Sequence, residues 1–243
     1  MKAMAFGVRN AKEILRDPLT VAFSLGFPVA ILLLLSAIRA NVPFDRFAIE
    51  RLAPGIAIFG LSFLTLFCAT LIARDRESAL LQRLYTAPLA GTDFIFGYAL
   101  PMVPIALGQS AVCYVVAIAL GLEPSARLLA AIAMIAPVSL FFIAMGLLCG
   151  SVFSVKQVGG ICGALLTNVG AWLSGTWFDP DLVGGAFKKI AELLPFIHAV
   201  ELERAILRGD IRTIPGHLLW VMGYGFAAVL LAVGLFLRQK NRQ

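Results

Sequence analysis

The residues best suited to chemistry lie in one stretch, Arg74-Asp75-Arg76-Glu77-Ser78-Ala79-Leu80-Leu81-Gln82-Arg83-Leu84-Tyr85-Thr86-Ala87-Pro88-Leu89. Leu80 and Leu84, four apart, share one helical face. Arg76 and Arg83, seven apart, share another, and Pro88 ends the pattern. The stretch is a short, charged, helix-competent island in a chain that is otherwise mostly apolar. The same spacing also fits a solvated loop between two membrane spans.

Other chemistry is hard to assemble from this chain. A phosphate-binding loop needs G-x-x-x-x-G-K-[ST]; Gly159-Gly160-Ile161-Cys162-Gly163 has the glycines without the lysine, and Leu173-Ser174-Gly175 stops short of an ATPase signature. His198 and His217 have no neighbouring carboxylate at metal-ligand spacing, and no G-x-S-x-G elbow occurs. Cys68, Cys113, Cys149 and Cys162 all fall in apolar runs without a C-x-x-C pair and read as small buried hydrophobes. We therefore expect no catalytic residue, no metal site and no cofactor in this chain.

The elements that must carry the charged stretch follow from composition. Of 243 residues, 60% are hydrophobic and 14% charged, against about 45–50% and about 25% in ordinary globular proteins. This is an all-α integral membrane protein, because a lipid-embedded backbone must satisfy its own hydrogen bonds and the apolar runs lack period-2 alternation. The net charge of +6 suits a negatively charged membrane surface rather than nucleic acid.

In chain order, residues 1–17 predict an amphipathic surface helix with Met4, Val8, Ala11 and Leu15 on one face and Arg9, Lys12 and Arg16 beside them. The apolar run that follows is too long for a signal peptide and reads as a retained span. Six spans are expected, at about 19–38, 52–73, 94–120, 128–149, 158–178 and 216–237, the third kinked by Pro101 and Pro104. With both termini inside, 11 of the 20 basic residues are cytoplasmic; setting aside the five in 179–215 leaves 11 against 4. That segment carries Val183, Phe187, Ile190 and Leu194 at helical spacing, then Pro195, then Glu201, Arg204 and Arg208 along one face. Two short helices around a proline hinge fit it, as a surface hairpin or as a partial dip into the bilayer.

The span interiors hold no carboxylate, which argues against proton-coupled transport and against membrane catalysis. They do hold packing features. Gly159, Gly163, Thr167, Ala171 and Gly175 step by four through the fifth span and offer a smooth face to another helix. Asn168 and Trp172 lie on a neighbouring strip, and Phe59, Phe63 and Phe67 form an aromatic strip on the second span. Gln109 in the third span needs a polar partner, which a neighbouring helix would supply.

The string Arg-x-Arg-Glu-x-x-x-Leu-x-Arg-Leu-x-x-x-Pro-Leu, after a span opening with Pro54-Gly55, resembles the cytoplasmic coupling helix of ABC-type exporter permeases. Leu194-Pro195-Phe196-Ile197-His198-Ala199-Val200 before the last span resembles the same family, although Ser78-Ala79 stand where its members often carry glycine-threonine. The resemblance implies a single permease domain over 1–243: a connecting helix at 1–17, a coupling helix at 74–90, and external or re-entrant helices at 179–215. It assigns Arg76, Glu77, Leu80, Arg83, Leu84 and Pro88 to ATPase coupling. It assigns Phe59, Phe63, Phe67, Asn168 and Trp172 to the substrate path between two permease copies. It further implies two cytosolic ABC ATPases holding ATP and Mg, a homo- or heterodimer in the cell membrane, and export of an amphipathic, drug-like or lipid-like molecule. A polysaccharide or glycolipid exporter, or a non-transporting scaffold or sensor docked to an ATPase, are the alternatives.

Overall fold

The computed structural model describes residues 2–18, 22–41, 48–78 and 91–240, and among these every regular element is a helix. Leu80, Arg83, Leu84 and Pro88 lie outside the described residues. The elements are α1 (Lys2–Arg16), α2 (Ala22–Asn41, opening with a π-helical turn), α3 (Ile49–Glu77), α4 (Gly91–Ala99) and α5 (Met102–Ala119). They continue with α6 (Ala126–Val152), α7 (Val155–Val158), the π-helical α8 (Gly159–Leu166) and α9 (Thr167–Leu173). Last come α10 (Pro180–Val183), α11 (Gly185–Leu193), α12 (Pro195–Arg208) and α13 (Ile214–Lys240).

Among the described residues, five helical stretches are long and apolar enough to cross a membrane: Ala22–Asn41, Ile49–Glu77, Ile95–Ala119, Ala126–Val152 and Ile214–Leu235. The third is interrupted at Leu100–Pro101, between α4 and α5, where the proline ring and missing N–H break the helical ladder. The segment expected as a span over 158–178 is helical from Val155 to Leu173 in three pieces. Shorter, and carrying Lys156, Gln157 and Asn168, it stands outside the five.

Helix α3 is the hub, buried along nearly its whole length and packed against α6, α5, α2, α8 and α12. Its approach to α6 is close because α6 offers glycines: a Cβ at Gly146 would meet Cys68 Cβ at 2.7 Å, and one at Gly150 would meet the Ala69 carbonyl at 2.7 Å. In lipid, where apolar surface gains little by leaving the solvent, such close packing together with interhelical hydrogen bonds is what holds helices together. The Thr65 hydroxyl donates to the Phe142 carbonyl at 2.8 Å, and Gln109 Nε2 donates to the Ala57 carbonyl at 3.2 Å. Gln109 thus finds its partner on the neighbouring helix α3.

The bundle has two poles. One gathers α1, the end of α3, α4 and the α6–α7 turn. The other gathers α10 to α12, the start of α3 and the turn after α9. At this second pole the segment expected as two short helices has three pieces. Asp179 caps the single turn α10 by accepting from the Asp181 N–H, and Leu194 is extended before Pro195 opens α12.

Candidate functional site

Helix α1 lies against α4 with Phe6, Asn10 and Ile14 turned inward, while Met4, Val8 and Leu15 face away from the bundle. Inward and outward sets repeat at three to four residues, so one helix serves protein on one side and leaves an apolar stripe on the other. The inward face is tight: the Phe6 ring sits edge-on to Tyr98 at 5.0 Å and directly over Gly97.

Around this contact a polar collar ties three helices. Arg9 grips Asp75 at the end of α3 with both ends of its guanidinium, Nη1 to Oδ2 at 2.7 Å and Nη2 to Oδ1 at 2.9 Å. The Tyr98 hydroxyl of α4 donates to the same carboxylate at 2.8 Å, and Asn10 donates from Nδ2 to the Gly97 carbonyl at 3.0 Å. Arg9 also meets Glu13 at 2.6 Å. The bonds to Asp75 raise the Arg9 guanidinium above its ordinary range against the opposing effect of burial. The Asp75 side chain is 4% exposed, which a carboxylate tolerates only because a cation and a hydroxyl satisfy it.

One turn on, the last two residues of α3 capture the α6–α7 turn. Arg76 donates to the carbonyls of Ser151 and Phe153, and Glu77 accepts the Val155 N–H at 2.9 Å. Glu77 thereby sits at the N-terminus of α7, where Ser154 and Gln157 form a capping box. Of the residues assigned to ATPase coupling, Arg76 and Glu77 are therefore held within the chain itself. In sequence, residues 79–90 fall between α3 and α4, and Arg9 and Asn10 of α1 fasten both of those helices.

The residues expected along the path fall into two groups. Phe59 and Phe63 are buried together, edge-to-face at 5.7 Å, against Phe27, Trp177 and Ala171; Phe67 stacks half-buried on Phe63. Asn168 and Trp172 are exposed, the Asn168 amide folded back onto the Ala164 carbonyl at 2.7 Å and Trp172 52% exposed. The structure brings the three phenylalanines together and places Asn168 and Trp172 apart from them.

The small-residue ladder does not keep one face, because the π-turns of α8 are wider than α-helical turns. Gly159 faces open space, a Cβ added at Gly163 would meet Leu66 at 3.4 Å, and Thr167 and Ala171 are buried. Gly175 stands beyond the end of α9 at φ +68°, a left-handed turn suited to glycine.

Two clusters lie at the other pole; the shared face of Glu201, Arg204 and Arg208 is legible in the sequence, their partners and the Tyr114–Glu203 pair are not. Arg204, only 13% exposed, donates to Glu201 at 2.9 Å and to the carbonyls of Arg51 and Gly175, fastening α12 to the start of α3 and to the turn after α9. Burial pushes the Glu201 carboxyl up, but hydrogen bonds and charge from Arg204 and Arg208 outweigh it and hold the group below its ordinary range. Beside it, the Tyr114 hydroxyl of α5 donates to a fully buried Glu203 at 2.7 Å. Glu203 was hidden because α12 lies outside the spans searched for carboxylates. Among the described residues no group of three metal-ligating side chains occurs.

The family model of the ABC-2 type transporter matches residues 2–207. No curated protein matches the chain.

Proposed function

The chain belongs to the ABC-2 type transporter family, and as the membrane subunit of an ABC transporter we propose that it exports an amphipathic, drug-like or lipid-like molecule through a dimer driven by two cytosolic ATPases. Permeases of this family pair with an ATPase subunit, and the chain is a transport component rather than a catalyst. ATP and Mg belong to that ATPase. In this reading both termini and residues 74–90 face the cytoplasm of a cell whose membrane holds six spans of each copy, 158–178 being the fifth. Residues 179–215 lie on the outer side.

One observation carries the reading: α1 fastens both helices that flank the charged stretch, through Arg9 to Asp75 and Asn10 to the Gly97 carbonyl. A push on residues 79–90 is passed to α3 and α4 together, and through Arg76 and Glu77 to the α6–α7 turn. Since α3 is the buried hub, moving its end moves the bundle. Leu80 and Leu84 would fill a groove on the ATPase, with Arg83 orienting the helix. The phenylalanines of α3 would line the path together with Asn168 and Trp172.

The test is reconstitution of the chain with its ATPase in liposomes. ATP-dependent movement of a fluorescent amphipath, abolished when the ATPase cannot hydrolyse, is the expected result. Failure of the chain to associate with any ABC ATPase, or nucleotide-dependent association without flux, overturns it.

A further inference from the structure

We infer that Glu203 is a proton-binding site that links the seating of α12 on the bundle to pH: the carboxyl is protonated when α12 is seated and loses its proton when α12 lifts away. The inference makes no use of what the bundle transports.

Glu203 is 0% exposed, packed under α12 where that helix meets α3, α6 and α13. Its Oε2 accepts the Tyr114 hydroxyl at 2.7 Å, while its Oε1 is buried and has no hydrogen-bond partner among the described residues. Ser110, one turn before Tyr114 on the same face of α5, is also buried with its hydroxyl unpaired. A carboxylate in such a place keeps its charge only beside a cation, and none of the described residues supplies one.

The charged groups packed nearest are engaged with other partners. On α12 itself, Arg204 and Arg208 both turn to Glu201, and Arg204 also reaches the Arg51 carbonyl of α3. Arg127 of α6 donates to the carbonyls of Leu207 and Arg208. His217 of α13 pairs with His198, and on α11 Glu192 pairs with Lys188. Among the described residues, Tyr114 is the titratable group that acts on Glu203. Burial pushes the Glu203 carboxyl up to about 8, with the Tyr114 hydrogen bond pulling partly back.

The sign follows from linkage. Seated α12 binds the proton more tightly than lifted α12, in which the carboxyl meets water and titrates near 4.5. Between these values each pH unit favours the lifted state by about tenfold, and above about 8 the effect levels off. Below 4.5 both states are protonated and the dependence vanishes.

The experiment is hydrogen exchange of residues 195–208 in the full chain in lipid nanodiscs from pH 7 to 9, corrected for intrinsic base catalysis. That range lies above the ordinary histidine value of about 6.5. The wild-type opening constant is expected to rise about fivefold from pH 7 to 8 and only about twofold more by pH 9. Glu203→Gln, which keeps shape and the acceptor for Tyr114, should open equally at every pH. Tyr114→Phe, which removes the one bond favouring the ionised form, should move the flattening to higher pH, and it serves as the test if the glutamine variant does not accumulate. A flat wild-type profile, a slope retained in Glu203→Gln, or an unmoved plateau in Tyr114→Phe overturns the inference.

Discussion

Arg9 and Asp75, 66 residues apart in sequence, face each other through two parallel hydrogen bonds of 2.7 and 2.9 Å, one partner on the leading helix and the other at the end of the central one. The geometry is the bidentate form that only arginine offers a carboxylate. It makes the leading helix a mechanical part of the bundle rather than a loose appendage. Because Tyr98 donates to the same carboxylate, α1, α3 and α4 cannot move past one another without breaking it.

Removing one partner should therefore cost more than removing both. Arg9→Ala leaves Asp75 buried beside a single hydroxyl and should destabilise the bundle by roughly 3 kcal/mol, the low end for a buried pair because Arg9 itself is 38% exposed. Adding Asp75→Asn should recover part of that loss. Thermal unfolding of the purified permease, read as a double-mutant cycle, measures it. Additive losses would mean that the pair is not coupled.

Gly97 supplies a second test of the same contact. A Cβ there would come within 2.2 Å of the Phe6 ring, and the Gly97 carbonyl accepts from Asn10. Gly97→Val should push α1 off α4 and cost about 1–3 kcal/mol. Phe6→Leu in the same chain should relieve part of the strain. Protease susceptibility of residues 2–16 reads the displacement directly; unchanged protection in Gly97→Val would show that α1 is not seated on this residue.

At the end of α3, Glu77 accepts the Val155 N–H, the first of α7, while Leu84 lies outside the described residues and carries the ATPase contact only in the proposed reading. Glu77→Ala should cost under about 1 kcal/mol of stability, since the bond is exposed, yet lower transport per ATP hydrolysed several-fold. Leu84→Asp should lose association with the ATPase outright. Flux and hydrolysis measured side by side in proteoliposomes separate the two; normal coupling in both would remove residues 74–90 from the drive train.

What could be read beforehand follows from which forces act locally. Apolar runs, prolines and the charged island announce themselves, because span formation depends on composition within some twenty residues. The break at Leu100–Pro101 and the partner of Gln109 belong to this class, as one follows from a ring and the other from an unpaired amide in lipid. The collar does not, since Arg9 meets Asp75 only after three helices have packed. The π-helical turns of α8 likewise escape a pattern that assumes α-helical spacing, and they rotate Gly159 into open space while Thr167 stays buried. Glu203 escapes for a different reason: it lies outside the spans, and only tertiary packing buries its carboxyl.

Glu201 gives the last prediction, with a sign opposite to that of Glu203. Burial raises its carboxyl, but Arg204 and Arg208 hold it below the ordinary carboxylate value of 4.5 in the folded chain. A depressed carboxyl contributes stability that is present in full above pH 4.5 and is lost as pH falls through the folded value. Acid should thus release Arg204 from Glu201 and loosen α12 from the Arg51 and Gly175 carbonyls. Glu201→Gln should lower stability at pH 7 by roughly 1–2 kcal/mol and remove the acid step, because an amide neither titrates nor attracts Arg204 as a carboxylate does. Unfolding midpoints measured from pH 3 to 7 on both chains decide it: an acid step of equal size in the variant would assign the loss to some other carboxylate.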